Sequence, residues 1–84
     1  MSLRNEYPYD EALNDFENFI EKQVIHQHIK NEFNEIINSA RQDKTVPMRG
    51  LQVKLMKYRK EYCLYTKFTS QEREMMDNLI HFWC

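Results

Sequence analysis

The chain has 84 residues and a mass of 10.4 kDa, with 12 Lys+Arg against 13 Asp+Glu and a formal net charge of −1. One Gly and two Pro argue against a turn-rich all-β fold, and 42% hydrophobic with 30% charged residues argues against a disordered tail. Cys63 and Cys84 are too few for a disulfide scaffold, no apolar run approaches the roughly 18 residues of a membrane span, and no signal segment opens the chain, so a cytoplasmic protein is expected.

Residues 1–9 show no period and read as a flexible tail, with Tyr7-Pro8-Tyr9 as a packing anchor. Asp10 suits an N-cap, because its carboxylate can accept from the free amides of a first helical turn. From there to residue 42 no Gly or Pro interrupts. Leu13, Phe16, Ile20 and Val24 recur at steps of three and four, and a second stripe follows through Ile25, Ile29, Phe33, Ile36 and Ala40. The stripes are offset by one residue, about 100° around a helix axis. The pattern predicts one long helix over 10–42 whose halves face different partners, with a break near His26–His28 as the alternative.

Asp43–Pro47 reads as a linker, with Pro47 suited to the first turn of a new helix. Met48, Leu51, Leu55, Tyr58, Tyr62 and Tyr65 form a helical seam over 47–65. Thr69-Ser70-Gln71-Glu72 fits a capping box, in which hydroxyl and carboxylate satisfy each other's orphan amides. A helix over 70–83 follows, with Met75, Met76, Leu79, Ile80 and Trp83 as its apolar side. The fold class is therefore all-α: one long N-terminal helix and two shorter ones in a single domain over 10–84. A helix over 10–42 would be roughly 50 Å long against ~27 and ~21 Å for the others. Its first stripe would then lack cover, which predicts self-association, most simply a dimer, through Phe16, Ile20, Val24 and Ile29.

The neutral total conceals a segregation. Residues 1–40 carry −5, residues 41–67 carry +6 and residues 68–84 carry −2. At 100° per residue, Arg49, Lys57 and Lys60 fall within an arc of about 80° opposite Leu55, with Val53 between them. Lys54 flanks the seam, Arg59 lies beside Lys60, and Arg41 and Lys44 lead into the helix. Such a ridge suits a phosphate backbone, since flexible cations reach anionic oxygens and release condensed counterions. The other face of this reading is a solvated surface paired with the acidic helix beside it.

Other candidates carry less. His26 and His28, two apart on a helix, would point about 200° away from each other and could not close on one metal. Cys63 and Cys84 lack a CxxC companion. No nucleophilic triad and no Gly-rich phosphate loop is present. The tyrosines at 58, 62 and 65 coincide with the apolar seam, so they read as core more than as a base-stacking platform. Gly50 lies in a helical first turn and reads as a point of close helix approach.

The order of features is similar to the small double-stranded-DNA-binding proteins of T4-like phages and to GapR-like nucleoid proteins. The likeness covers roughly residues 25–80 and is carried by Ile29-Lys30-Asn31-Glu32-Phe33, Ser39-Ala40-Arg41, the basic stretch Tyr58-Arg59-Lys60 and Glu72-Arg73-Glu74-Met75. It implies a helical oligomer that holds duplex DNA against lysines and arginines with little sequence readout. The glycine-containing linker expected after the long helix is replaced here by Asp43–Pro47.

Together these features predict a non-enzymatic protein without cofactor or metal. It would bind double-stranded DNA through Arg41, Lys44, Arg49, Lys54, Lys57, Arg59 and Lys60, in phage or bacterial transcription or nucleoid control. The rival expectation is a protein–protein regulator, a phage-type inhibitor that lays the acid-edged apolar helix into a groove of a host protein. No membrane partner is expected.

Overall fold

A computed structural model describes residues 5–64 and 67–83. The described residues form four helices and no strand: α1 (Tyr9–Gln23), α2 (Gln27–Asp43), α3 (Met48–Glu61) and α4 (Ser70–Trp83). The chain is all-α, but its first helix is not the longest. The helix expected over 10–42 is two helices, of 15 and 17 residues.

The break falls two residues earlier than the alternative placed it, sharing His26 with it. Val24 adopts extended geometry (φ −97°, ψ 115°), as does His26 (φ −90°, ψ 119°), and the three residues between the helices reverse the chain. Lys30 meets Glu21 at 3.4 Å and Arg41 meets Glu17 at 3.1 Å, so α1 and α2 form an antiparallel hairpin. The physical reason is burial. A straight helix would leave one apolar stripe in water, at roughly 1.5–3 kcal/mol per large side chain. Folding back lets each stripe cover the other, at the expense of a few helical hydrogen bonds around β-branched Val24 and Ile25.

Leu13, Phe16, Ile20 and Val24 are each 0–1% exposed, and Ala12 and Phe19 join them. Across the hairpin Phe33, Ile37 and Ala40 are buried, and the Phe16 ring lies 6.3 Å from that of Phe33. Ile29 and Ile36 are half-buried, while Ile25, in the connection, is exposed. The surface assigned to self-association is therefore an internal core. Phe16, Ile20 and Val24 are covered by their own chain, which removes the argument for a dimer and the apolar helix on which the inhibitor reading rested.

Residues 5–9 are better anchored than a loose tail. Tyr7 is buried and its hydroxyl donates to Asp15 Oδ2 at 2.7 Å. The N-cap of α1 is Pro8, not Asp10; the Asp10 carboxylate accepts the amide of Glu11, and with Glu11 it places negative charge at the positive end of the helix dipole.

The chain divides into two units, the first ending at Val46 and the second beginning at Pro47, where a single domain was expected. In the second unit Met48, Leu51, Leu55 and Tyr58 of α3 are buried, as the seam predicts, and the Tyr62 ring packs on Tyr58 at a 46° tilt with centroids 5.0 Å apart. Pro47 occupies the N-cap position instead of the first turn. Tyr65 lies outside the described residues, as do Thr66 and Cys84. In α4 the buried side chains are Met76, Asn78 and Leu79, whereas Ile80 faces out. The capping box is present: Thr69 donates its amide to Glu72 Oε1 at 2.8 Å, and Glu72 donates its amide to Thr69 Oγ1 at 3.1 Å.

Two helices end on the same device. In α2 the Thr45 amide donates to the Ala40 carbonyl and the Lys44 amide to that of Arg41, with Lys44 left-handed at φ 57°. In α3 the Leu64 amide donates to Arg59 and the Cys63 amide to Lys60, with Cys63 at φ 55°. Both are Schellman turns, and in both the left-handed position holds a residue other than glycine. In the linker after α2 that position is held by Lys44, a lysine in the conformation glycine ordinarily supplies.

Candidate polyanion-binding face

The basic residues singled out by the charge pattern meet three fates. Arg41, on the last turn of α2, is half-buried and occupied. Its Nη1 donates to Glu17 Oε2 at 3.1 Å and Asn38 Oδ1 at 3.2 Å, and its Nη2 donates to Asn14 Oδ1 at 2.8 Å. It ties the end of α2 to the middle of α1, so it leaves the set of phosphate contacts.

Arg59 is also engaged. Its Nε donates to the Leu64 carbonyl at 3.0 Å, and its guanidinium lies 4.4 Å from the centroid of the Phe68 ring. Since the Arg59 carbonyl accepts the Leu64 amide, this one residue clasps the turn after α3 through both backbone and side chain. Arg59 reads as a fastener of the turn. Lys54 is half-buried on the flank of α3 and has an interaction of its own within the chain.

Arg49, Lys57 and Lys60 differ from these. All three are exposed on α3, and none makes an ion pair among the described residues. With 100° per residue they share one side of the helix, about 80° wide. Val53 and Met56 rise from the same side, 60% and 63% exposed. The two described salt bridges both join α1 to α2, within the other unit. Two more exposed lysines, Lys44 and Lys67, stand outside the helix. Lys67 was not singled out, because no helical period places it.

The histidine argument fails in its geometry. His26 precedes α2 and is not helical, so its ring turns toward His28, with centroids 5.9 Å apart at an interplanar angle of 73°. Among the described residues, no group of three or more His, Cys, Asp or Glu is placed to hold a metal. Gly50 is no point of close approach, since a Cβ built there meets nothing within 4 Å. Among the described residues, no helix is long and apolar enough to cross a membrane.

Comparison with family models, with curated proteins and with solved structures returns no match, so nothing there supports or opposes the resemblance to phage and nucleoid DNA-binding proteins.

Proposed function

We propose that this chain binds duplex DNA non-enzymatically through the open face of α3, with Arg49, Lys57 and Lys60 on the phosphates. The observation that carries the reading is that these three cations share one exposed helix side and that, among the described residues of their own unit, no acid is ion-paired with them. Unpaired cations on one face keep their field in solvent, where a polyanion can exchange its condensed counterions for them. Arg41, Arg59 and Lys54 play no part in this version of the site. The setting that accords with the family resemblance is phage or bacterial transcription or nucleoid control.

A salt titration of binding to a duplex of about 20 base pairs tests it. Three phosphate contacts predict a log–log slope of about −2.7, or an affinity loss of about fortyfold between 50 and 200 mM salt. Lys57→Glu with Lys60→Glu should reduce the slope to near −1 while the thermal melt stays in place. A flat salt response, or no retardation at low ionic strength, would overturn the proposal.

A further inference from the structure

Apolar side chains in the middle of a cationic face are unexplained by phosphate contact alone. Val53 and Met56 are among the few large hydrophobic residues left in water, and each is more than half exposed. Both lie between Arg49 and Lys60 along the axis and within the same arc of about 100°. At 1.5 Å per residue Arg49 and Lys60 are separated by roughly 16 Å, with Val53 and Met56 about 6 and 10 Å along. The face therefore runs positive, apolar, positive.

The major groove of B-DNA presents a matching series. Phosphates border a channel about 12 Å wide, and the apolar groups on its floor are thymine 5-methyls. A helix about 10–12 Å across fits that channel, and cations on long side chains reach its walls from a slightly longer baseline. Gly50 at the edge of this face carries no side chain, and a Cβ there would meet nothing within 4 Å, so the helix backbone is bare where it would near the groove wall. A membrane surface is the poorer fit, because interfacial helices insert large aromatic and leucine side chains, and this face offers only one Val and one Met.

We propose that α3 lies in the major groove with Val53 and Met56 against thymine methyl groups, which gives the protein a preference for T-containing duplexes over a nonspecific phosphate grip. This rests on the DNA-binding reading above and assigns to that site its groove and its apolar contact. Replacing thymine by deoxyuridine removes the methyl and keeps every Watson–Crick hydrogen bond, so it isolates this contact.

The experiment is fluorescence anisotropy with one A·T-rich duplex made with thymidine and again with deoxyuridine, using the full chain and the Val53→Ser, Met56→Ser double variant. Wild type should bind the thymidine duplex about fourfold more tightly for each methyl buried, hence between about four- and sixteenfold. The double variant should bind both duplexes alike, with its salt slope unchanged. Equal affinities for the two duplexes in wild type, with binding intact, would overturn groove insertion and leave the phosphate reading standing. Absence of binding to either duplex at low salt overturns both readings. Competition by poly-glutamate as effective as by duplex would assign the face to an acidic protein partner and also overturn the proposal. The thymidine-to-deoxyuridine ratio is taken within one protein preparation, so it does not depend on how well the variant folds.

Discussion

The hairpin of α1 and α2 and the pair α3 and α4 use the same residue types in opposite ways. In the hairpin two cations are consumed by carboxylates: Arg41 spans to Glu17 and also to Asn14, and Lys30 to Glu21. On α3, Arg49, Lys57 and Lys60 stand open beside two exposed apolar residues. A positive count in a stretch of sequence measures charge present, not charge available. What separates the two is whether a carboxylate lies across the packing interface, and that is a tertiary fact.

The comparison can be broken most forcefully at its better-packed end. Phe16, fully buried and facing Phe33, should cost about 3–5 kcal/mol when cut to alanine, read as a fall in the denaturant midpoint. If Phe16→Ala left stability unaltered, the hairpin core described above would be wrong. Next comes the contrast between two cations. Arg41→Ala should lose about 1 kcal/mol, because its bonds to charged and polar partners are half-exposed, while Lys57→Ala should stay within about 0.5 kcal/mol. Equal losses in paired chemical denaturations would erase the distinction between consumed and open charge. The smallest effect sharpens the open side. Gly50→Ala should raise stability by about 0.5–1 kcal/mol, visible as a higher melting temperature, since the new methyl meets nothing and helix propensity improves.

How much of this was legible follows from where each signal resides. The capping box at Thr69–Glu72 and the seam from Met48 to Tyr58 are local, and both were readable because partner and spacing lie within a few residues. The break at Val24–His26 was legible only as the alternative near His26–His28, because the residues that ordinarily announce a turn, Gly and Pro, are absent there. The one-residue offset between the two apolar stripes did contain the answer. It was read as two partners for one helix, when it records two helices covering each other. The association surface assigned to Phe16, Ile20 and Val24 was the cost of that choice. The contacts of Arg41 and Arg59 were illegible for a different reason: their partners lie 24 residues away and in a turn, respectively, which periodicity cannot see.

The two left-handed helix ends have a practical consequence. A side chain at such a position crowds the following carbonyl by about 1 kcal/mol or more, and glycine is relieved of that crowding. Lys44 and Cys63 are thus the natural places to engineer a hardier version without touching the exposed side of α3. Glycine at position 63 also deletes an exposed thiol, and with it a site of oxidation.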